Sequence, residues 1–187
     1  MRTARRCAVV FLALGFALAA SAPAATIVHT EARHSNGRYT LLFEVVLDAE
    51  RGKVWPWMTD YERLPRLSDV VIASRIVKSE TNNKHRVDVT FHACILIFCK
   101  TMKKLVDIQV WPQSDIIVVG DPRLSDFNYS VERWRVSAEK SQTRLNYHAE
   151  MVPNFFIPPL FGPWLVKAFL QREIRATAAK LEALANQ

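Results

Sequence analysis

A long run of strand-like segments, followed by one long helical segment, limits the folds that this chain can adopt. Between residues 70 and 152, six segments either alternate apolar and polar side chains or are almost continuously apolar, and short turn-rich stretches separate them. A period of two is typical of strands that bury one face, and short connections favour antiparallel neighbours. Residues 160–185 instead place apolar side chains at helical spacing. The chain is therefore predicted to form an α+β fold, in which one curved antiparallel sheet packs on a C-terminal helix.

The segment ahead of this region is predicted to contribute one strand and two short helices. Residues 41–47 alternate as a strand does, and residues 48–59 carry apolar side chains at helical spacing. Residues 60–67 have the pattern of a second short helix that ends near its proline. Residues 25–38 are polar and show no period, so they are predicted to be an irregular leader.

The N-terminus has the organisation of a secretory signal peptide. Arginines near the start precede an apolar run over residues 7–20, and Ala22 and Ala24 fit the small-x-small rule for cleavage. The apolar run is shorter than the ~20 residues that a membrane-spanning helix needs, which favours a cleaved signal over an anchor. We therefore expect a signal peptide over 1–24, a single domain over 25–187, and a periplasmic or secreted protein.

Composition and motifs argue against several classes of function. The formal net charge of +7 includes the arginines of the signal peptide, and the other Lys and Arg residues form no basic stripe. Nucleic acid is therefore not an expected partner. The chain has only five glycines and contains no glycine-rich phosphate loop, HExxH or EF-hand pattern. No cofactor is predicted.

The stretch Val54–Pro65, VWPWMTDYERLP, resembles the signature of the polyketide cyclase/dehydrase and coenzyme-Q-binding group of the START-like (SRPBCC) superfamily. The cysteine-bounded apolar segment Cys94–Cys99 resembles one in exported members, and the strand around Trp134 and residues 153–163 also match that group. The resemblance implies a helix-grip fold, with the sheet wrapped around the long C-terminal helix. It further implies a cavity between them for lipids, quinones or other apolar molecules, but not one particular reaction.

The expected cavity leads to a set of candidate ligand-binding residues. A buried tyrosine hydroxyl needs a hydrogen-bond partner, and ligand sites combine apolar walls with a few such polar groups. A solidly packed core is the alternative interpretation of the same apolar positions. Strand parity, helical spacing and the aromatic stretch before the last helix select Phe91, Ile108, Tyr129, Tyr147, Phe156, Phe161, Leu170 and Ile174.

No catalytic residue and no metal site is predicted. Asp60 and Glu62 lie in the signature and have acid–base chemistry, but capping and first-turn positions of a short helix explain them better. His92, Cys94 and Cys99 include two residue types that bind zinc, yet they lack a fourth ligand at the usual spacing.

Cys94 and Cys99 are instead predicted to form a disulfide, because they are the cysteines left after signal removal and the expected compartment is oxidising. In one straight strand their Cα atoms would lie about 16 Å apart, beyond the limit of about 7 Å for a bridge. The bridge therefore requires a turn within residues 95–98, in a hairpin that pairs the two cysteines.

The register of that hairpin places one lysine opposite an apolar residue and leaves an apolar tip, which is unfavourable in water. Phe91 would face Met102, as expected for an apolar face, but Lys104 would face Val89 without an explanation in the sequence. The tip, residues 95–98, would consist of four large apolar side chains, which are unfavourable in water unless they are covered. The tip is predicted to contact the cavity mouth, a partner or a membrane, and folding back onto the domain is the alternative.

Three functions are compatible with these observations. The first is a binding or carrier protein for a hydrophobic small molecule or lipid. The second is a cyclase- or hydrolase-like enzyme that acts on a hydrophobic substrate in the same cavity. The third is an interaction module that touches a membrane transiently, or a partner protein, through the tip. An enzyme should place an acid, a base or a nucleophile inside the cavity, whereas a carrier need not.

Overall fold

The structure is a computed structural model that describes residues 25–157 and 162–187. The predicted signal peptide lies outside the described residues. Within them, the strands are β1 (Thr26–Ser35), β2 (Arg38–Leu47), β3 (Val71–Thr81), β4 (Lys84–Ile95), β5 (Phe98–Trp111), β6 (Asp115–Gly120), β7 (Phe127–Glu139) and β8 (Gln142–Pro153). The helical elements are α1 (Arg51–Met58), a single 3-10 turn (Leu64–Arg66) and α2 (Gly162–Ala185).

The described strands form one antiparallel sheet in the order β1-β2-β8-β7-β6-β5-β4-β3. Helix α2 lies across the concave face and buries Ile174, Ala178 and Leu181 against it. Val45 and Leu145, on neighbouring central strands, are almost completely buried in the same core. The predicted α+β helix-grip architecture is confirmed. None of the helices in the described residues is long and apolar enough to cross a membrane.

The expectation of an irregular leader over residues 25–38 is wrong, because most of this segment forms edge strand β1. It pairs with β2 from Thr26 opposite Val46 to Ser35 opposite Arg38. Asn36 and Gly37 make the turn with φ of 49° and 76°, as the two-residue hairpin turn requires. An edge strand has a partner on one side only, and most side chains of β1 are exposed or half-buried. Its sequence therefore lacks the alternation that marks the inner strands.

The second short helix predicted over residues 60–67 is reduced to the 3-10 turn. The amide of Leu67 donates to the carbonyl of Leu64 at 2.9 Å, which closes the turn. Pro65 has no amide hydrogen to donate and favours a helix start rather than an interior position. A longer helix is therefore not built, and the segment around Tyr61 runs as an irregular stretch below the sheet.

Candidate functional site

A cavity of about 320 Å³ lies between the concave face of the sheet and α2. Strands β4 to β8 form most of one wall, α2 forms another, and the segment after α1 closes part of the space. The wall is largely apolar, with Val89, Phe91 and Met102 on the hairpin side and Leu170 and Ile174 on the helix side. The space has the size of a small ligand pocket, about 300–1,000 Å³.

Five of the eight candidate ligand-binding residues line this cavity. They come from four elements that are distant in sequence, and the sheet and α2 bring them to one space. They are Phe91, Ile108, Tyr147, Leu170 and Ile174.

The expected inward position of Tyr129 is wrong. The pairing of β7 with β8 shifts between Phe127 and Tyr129, and one extra residue in a strand moves the following side chains to the other face. Phe127 consequently lines the cavity, whereas Tyr129 is 38% exposed. The guanidinium of Arg38 lies 4.6 Å from the centre of the Tyr129 ring, outside the cavity.

The other two candidates do not join this set. Phe156 is 73% exposed and is not part of the cavity wall, because the chain leaves the sheet after β8 before it reaches α2. Phe161 lies outside the described residues.

A buried polar cluster interrupts the apolar wall. The ammonium group of Lys104 forms an ion pair with the Oε1 atom of Glu132, although Lys104 is only 5% exposed. The hydroxyl of Tyr147 donates to the Oε2 atom of the same carboxylate at 3.0 Å. All three residues line the cavity, so a carboxylate, an ammonium group and a phenol meet in its wall.

Gly120 and Phe127 lie beside the long side chain of Lys104. A Cβ atom at Gly120 would lie 3.2 Å from Ser130 Cβ, which is a tight contact, and 3.7 Å from Lys104 Cε, which is an ordinary one. A side chain at Gly120 would therefore be crowded against Ser130 rather than against the lysine. The ammonium group also lies 5.5 Å from the centre of the Phe127 ring, which is favourable for a cation.

Electrostatics keep the phenol of Tyr147 protonated. Burial raises its pKa well above the ordinary value, and the negative charge of Glu132 raises it further. The hydroxyl therefore remains a donor to the carboxylate over the whole physiological range. Sequence reasoning proposed Tyr147 but missed Lys104 and Glu132. The signal that could have found them was the unexplained lysine opposite Val89 in the predicted hairpin.

A second tyrosine, whose hydroxyl is buried, forms part of the cavity wall. Tyr61, from the irregular segment after α1, is 5% exposed, and its ring lies 5.5 Å from that of His85. Its hydroxyl oxygen is buried and has no hydrogen-bond partner among the described residues. Burial raises the pKa of this phenol, so it too stays protonated.

The acids of the signature take structural positions. Asp60 forms an ion pair with Arg63 at 2.5 Å, and the amide of Arg63 donates to the Asp60 carbonyl at 3.1 Å. Glu62 is exposed, and neither acid lines the cavity. Asp60 stabilises the turn before the 3-10 segment through Arg63, but no side-chain capping hydrogen bond forms there, so the expected capping role of Asp60 is not found.

Cys94 and Cys99 form a disulfide at the end of the β4–β5 hairpin, with their Cα atoms 4.0 Å apart. The predicted register is confirmed, including Phe91 opposite Met102. His92 Nε2 lies 3.6 Å from the Cys94 sulfur, but a sulfur held in a disulfide is not a thiolate ligand for zinc.

The tip of this hairpin projects into solvent. Leu96 is 75% exposed and Ile97 is 96% exposed. The segment after β8 lies beside the hairpin, because Lys100 Nζ is 5.1 Å from the centre of the Phe155 ring. We call the exposed side chains Leu96, Ile97 and Phe156 the apolar rim.

Comparison with solved structures supports the fold assignment. TTHA0849 from Thermus thermophilus has 17% identity and a TM-score of 0.64, over 79% of this chain and 97% of that one. The Zhui aromatase/cyclase from Streptomyces sp. R1128 has 13% identity and a TM-score of 0.64, over 80% and 94%. The STAR-related lipid transfer protein from Xanthomonas axonopodis has 14% identity and a TM-score of 0.60, over 84% and 99%. At these identities the likeness shows the fold alone.

Sequence comparison identifies the family. A search of curated proteins gave no match. A family model described as polyketide cyclase / dehydrase and lipid transport matches residues 40–186, from β2 to the residue that follows α2. The match covers most of the chain, including the three residues of the buried polar cluster. The chain therefore belongs to the polyketide cyclase / dehydrase and lipid transport family.

Proposed function

We propose that the protein binds and carries an apolar molecule with a neutral polar group, outside the cytoplasm. The observation that carries this proposal is one buried polar cluster, Lys104, Glu132 and Tyr147, in a largely apolar cavity of about 320 Å³. Ligand sites combine an apolar wall with a few polar groups in this way. The Cys94–Cys99 disulfide and the signal peptide proposed over 1–24 support an oxidising compartment.

The composition of the cluster favours a neutral polar group on the ligand. Lys104 and Glu132 compensate each other's charge, so an anionic ligand group would approach the Glu132 carboxylate and a cationic one would approach the Lys104 ammonium. A carbonyl oxygen can accept a hydrogen bond from Lys104, and a hydroxyl can donate to Glu132. Neither adds an unpaired charge to a buried site. Ketones, quinones and long-chain alcohols therefore fit best.

The direct test is to identify what the exported protein holds. The full-length chain is expressed with its own N-terminus, purified gently from the periplasm, and studied by native mass spectrometry and lipid extraction. We expect a bound apolar molecule with hydroxyl or carbonyl groups. A protein without ligand, which also fails to bind long-chain alcohols or quinones added to it, would contradict the proposal.

A matched pair of variants links the ligand to the cavity. Ala93→Phe places a phenyl ring in the cavity wall, whereas Ala138→Phe places the same ring at an exposed position of β7. We expect Ala93→Phe to reduce ligand occupancy at least about tenfold, because the ring occupies the apolar space. Ala138→Phe should retain the ligand, and equal losses in both variants would argue against this cavity as the site.

The apolar rim supports ligand exchange at an anionic membrane surface. Leu96, Ile97 and Phe156 are exposed apolar side chains at the hairpin end of the cavity. Lys100 lies beside this rim, with its Nζ atom 5.1 Å from the centre of the Phe155 ring. Apolar side chains next to cations suit the acyl boundary and the headgroups of an anionic bilayer.

Vesicle sedimentation tests this contact. The double variant Leu96→Ser/Ile97→Ser should lose most binding to phosphatidylglycerol vesicles, while Ile72→Ser/Val77→Ser, which alters two exposed apolar residues of β3, should bind as the unmodified protein does. Binding of the unmodified protein to phosphatidylcholine vesicles should be weaker, because Lys100 then has no anionic partner. Equal binding by both double variants would exclude the rim.

The same polar cluster favours a second function, the dehydration of a bound β-hydroxy ketone. The Glu132 carboxylate would take the proton beside the carbonyl, the C–O bond would break, and Lys104 would give a proton to the departing oxygen, so that water leaves. Incubation with a long-chain β-hydroxy ketone should then yield a product lighter by one water, and Glu132→Gln should abolish its formation. A carrier without catalysis returns the compound unchanged.

A further inference from the structure

We infer that the Cys94–Cys99 bridge is a site of thiol–disulfide exchange. An incoming thiolate attacks the Cys99 sulfur, and His92 stabilises Cys94 as the departing thiolate. The site lies at the end of the β4–β5 hairpin, and none of its three residues lines the cavity. The inference is therefore independent of the proposed carrier function.

The imidazole of His92 is oriented towards one of the two sulfurs. His92 and Thr101 face each other across the hairpin, and the Nδ1 atom lies 2.9 Å from the Thr101 hydroxyl oxygen. The other ring nitrogen, Nε2, lies 3.6 Å from the Cys94 sulfur. An N–H at this position can donate to the sulfur, and a protonated imidazole favours the thiolate over the thiol. Cys94 is therefore the better leaving group of the bridge.

The bridge and its histidine are accessible from solvent. His92, Cys94 and Cys99 are exposed, and their nitrogen and sulfur atoms lie within 4.8 Å of one another. The rate of exchange depends on access to the attacked sulfur, and exposed bridges are more labile than buried ones. A thiolate can therefore reach this bridge without unfolding of the chain.

The turn that the bridge closes contains an unfavourable residue. Ile95 and Phe98 are paired, so Leu96 and Ile97 form a two-residue turn, and Leu96 has a φ of 55°. Glycine or asparagine usually occupies such a position, because most side chains crowd the backbone there. Opening the bridge allows this turn to relax, which favours the reduced form and makes the bridge easier to exchange.

The exchange balances with two thiols as the reductant. The first thiolate forms a bond to the Cys99 sulfur, the Cys94–Cys99 bond breaks, and its electron pair stays on Cys94 beside the imidazole. A second thiolate then attacks the sulfur of the first thiol and releases Cys99. The donor loses two electrons and becomes a disulfide, while the two cysteines take up these electrons and two protons. The partner is therefore a dithiol protein or a pair of small thiols.

The regiochemistry of the first step tests the inference. The oxidised, exported protein is treated with glutathione at pH 7, quenched with acid and alkylated with N-ethylmaleimide, and its peptides are mapped by mass spectrometry. We expect glutathione on Cys99 and the alkyl group on Cys94. His92→Ala should slow the exchange about three- to tenfold and distribute glutathione over both sulfurs. His29→Ala removes an exposed histidine from β1, at the opposite edge of the sheet, and should react as the unmodified protein does.

A second measurement separates thiolate stabilisation from a change in hairpin flexibility. Cys99→Ser leaves Cys94 as a free thiol beside His92, and Cys94→Ser leaves Cys99. Iodoacetamide should alkylate Cys94 at least about threefold faster than Cys99 at pH 7, and the addition of His92→Ala should abolish the difference. Equal alkylation of the two thiols, or equal amounts of glutathione on both sulfurs of the unmodified protein, would overturn the inference.

Reduced thioredoxin, a dithiol protein, identifies the class of donor. If it opens the bridge much faster than glutathione does at equal thiol concentration, the partner is a dithiol protein, and comparable rates indicate small thiols. Both results support the exchange site. A bridge that neither donor opens in the folded protein contradicts it.

Discussion

Lys104 of β5 forms an ion pair with Glu132 of β7 inside an apolar cavity, across a gap of 28 positions in the sequence. The lysine stands opposite Val89 in the hairpin, where an apolar residue would be expected. Both charges are largely removed from water, so each depends on the other for compensation. The pair is therefore the most sensitive point of the cavity wall, and it is also where we propose that a ligand oxygen binds.

Removing one member of the pair should destabilise the fold. Lys104→Met leaves the Glu132 carboxylate without its cation, and we expect a loss of about 3 kcal/mol in the free energy of unfolding. The double variant Lys104→Met/Glu132→Gln should recover most of this loss, because no unpaired charge remains. Urea unfolding measures both. As a control, Lys78→Met removes an exposed pair with Glu80 and should have little effect. A double variant as unstable as Lys104→Met would contradict this account.

Tyr147→Phe should affect stability as well as ligand binding. The Tyr147 hydroxyl donates to Glu132 at 3.0 Å, and its loss removes one donor from a buried carboxylate. We expect a decrease of about 1–2 kcal/mol in the free energy of unfolding, together with weaker binding of ketones and alcohols. Chemical denaturation and calorimetry report the two effects separately. An unchanged stability would mean that the hydroxyl is available mainly to the ligand.

The Cys94–Cys99 bridge should stabilise the hairpin moderately. It closes a loop with a sequence separation of five, for which the chain-entropy relation predicts about 2 kcal/mol. Cys94→Ser/Cys99→Ser should lower the free energy of unfolding by about that amount, and thiol counting on denatured, unreduced periplasmic protein should find no free thiol. Two free thiols in such protein would refute the bridge in the cell.

The stability of the helix end should depend on pH through Glu182. Its side chain is 3% exposed, and its Oε2 atom accepts a hydrogen bond from the Asp48 amide at 2.6 Å. Burial raises the pKa of this carboxyl, the hydrogen bond from Asp48 lowers it, and the negative charge of Asp48 raises it again, with a net increase. The unfolded chain therefore loses this proton more readily than the folded one, and the group destabilises the fold as pH rises above the unfolded pKa, about 4.3.

Glu182→Gln tests this sign, because glutamine keeps an acceptor for the Asp48 amide but does not ionise. The variant should be more stable than the unmodified protein at pH 7, and the difference should vanish as the pH falls below about 4. Urea unfolding at both pH values measures it, with Glu62→Gln at an exposed position as the control. A variant that is less stable at pH 7 would show that the carboxylate charge itself is favourable there.

Export should remove the first 24 residues. The basic start, the apolar run and the alanines at 22 and 24 describe a cleaved signal, so the mature protein should begin near Ala25, at the start of β1. N-terminal sequencing of protein from the periplasmic fraction measures this. A periplasmic protein that begins at Met1, or protein found only in the cytoplasm, would contradict the expected localisation.

The amino-acid sequence alone was enough to predict the elements whose patterns are local. Alternation with a period of two marked the inner strands, and helical spacing marked α2, because each pattern depends on residues a few positions apart. It also determined the register of the β4–β5 hairpin, since a bridge between cysteines five positions apart is compatible with a turn between them but not with a straight strand. The helix-grip order followed from these elements together with the family signature around Tyr61.

Features that depend on residues distant in sequence became apparent in the folded chain. Edge strand β1 was missed because its sequence does not alternate. It is a strand because it pairs with β2. One inserted residue after Phe127 turned Tyr129 out of the cavity. The local sequence pattern does not show which residue of a strand is left unpaired in a bulge. Lys104 looked like a misfit until the order of strands brought Glu132 within reach. A buried charge is tolerated when an opposite charge compensates it. For Lys104 and Glu132, the order of the strands in the folded sheet brings the two charges together.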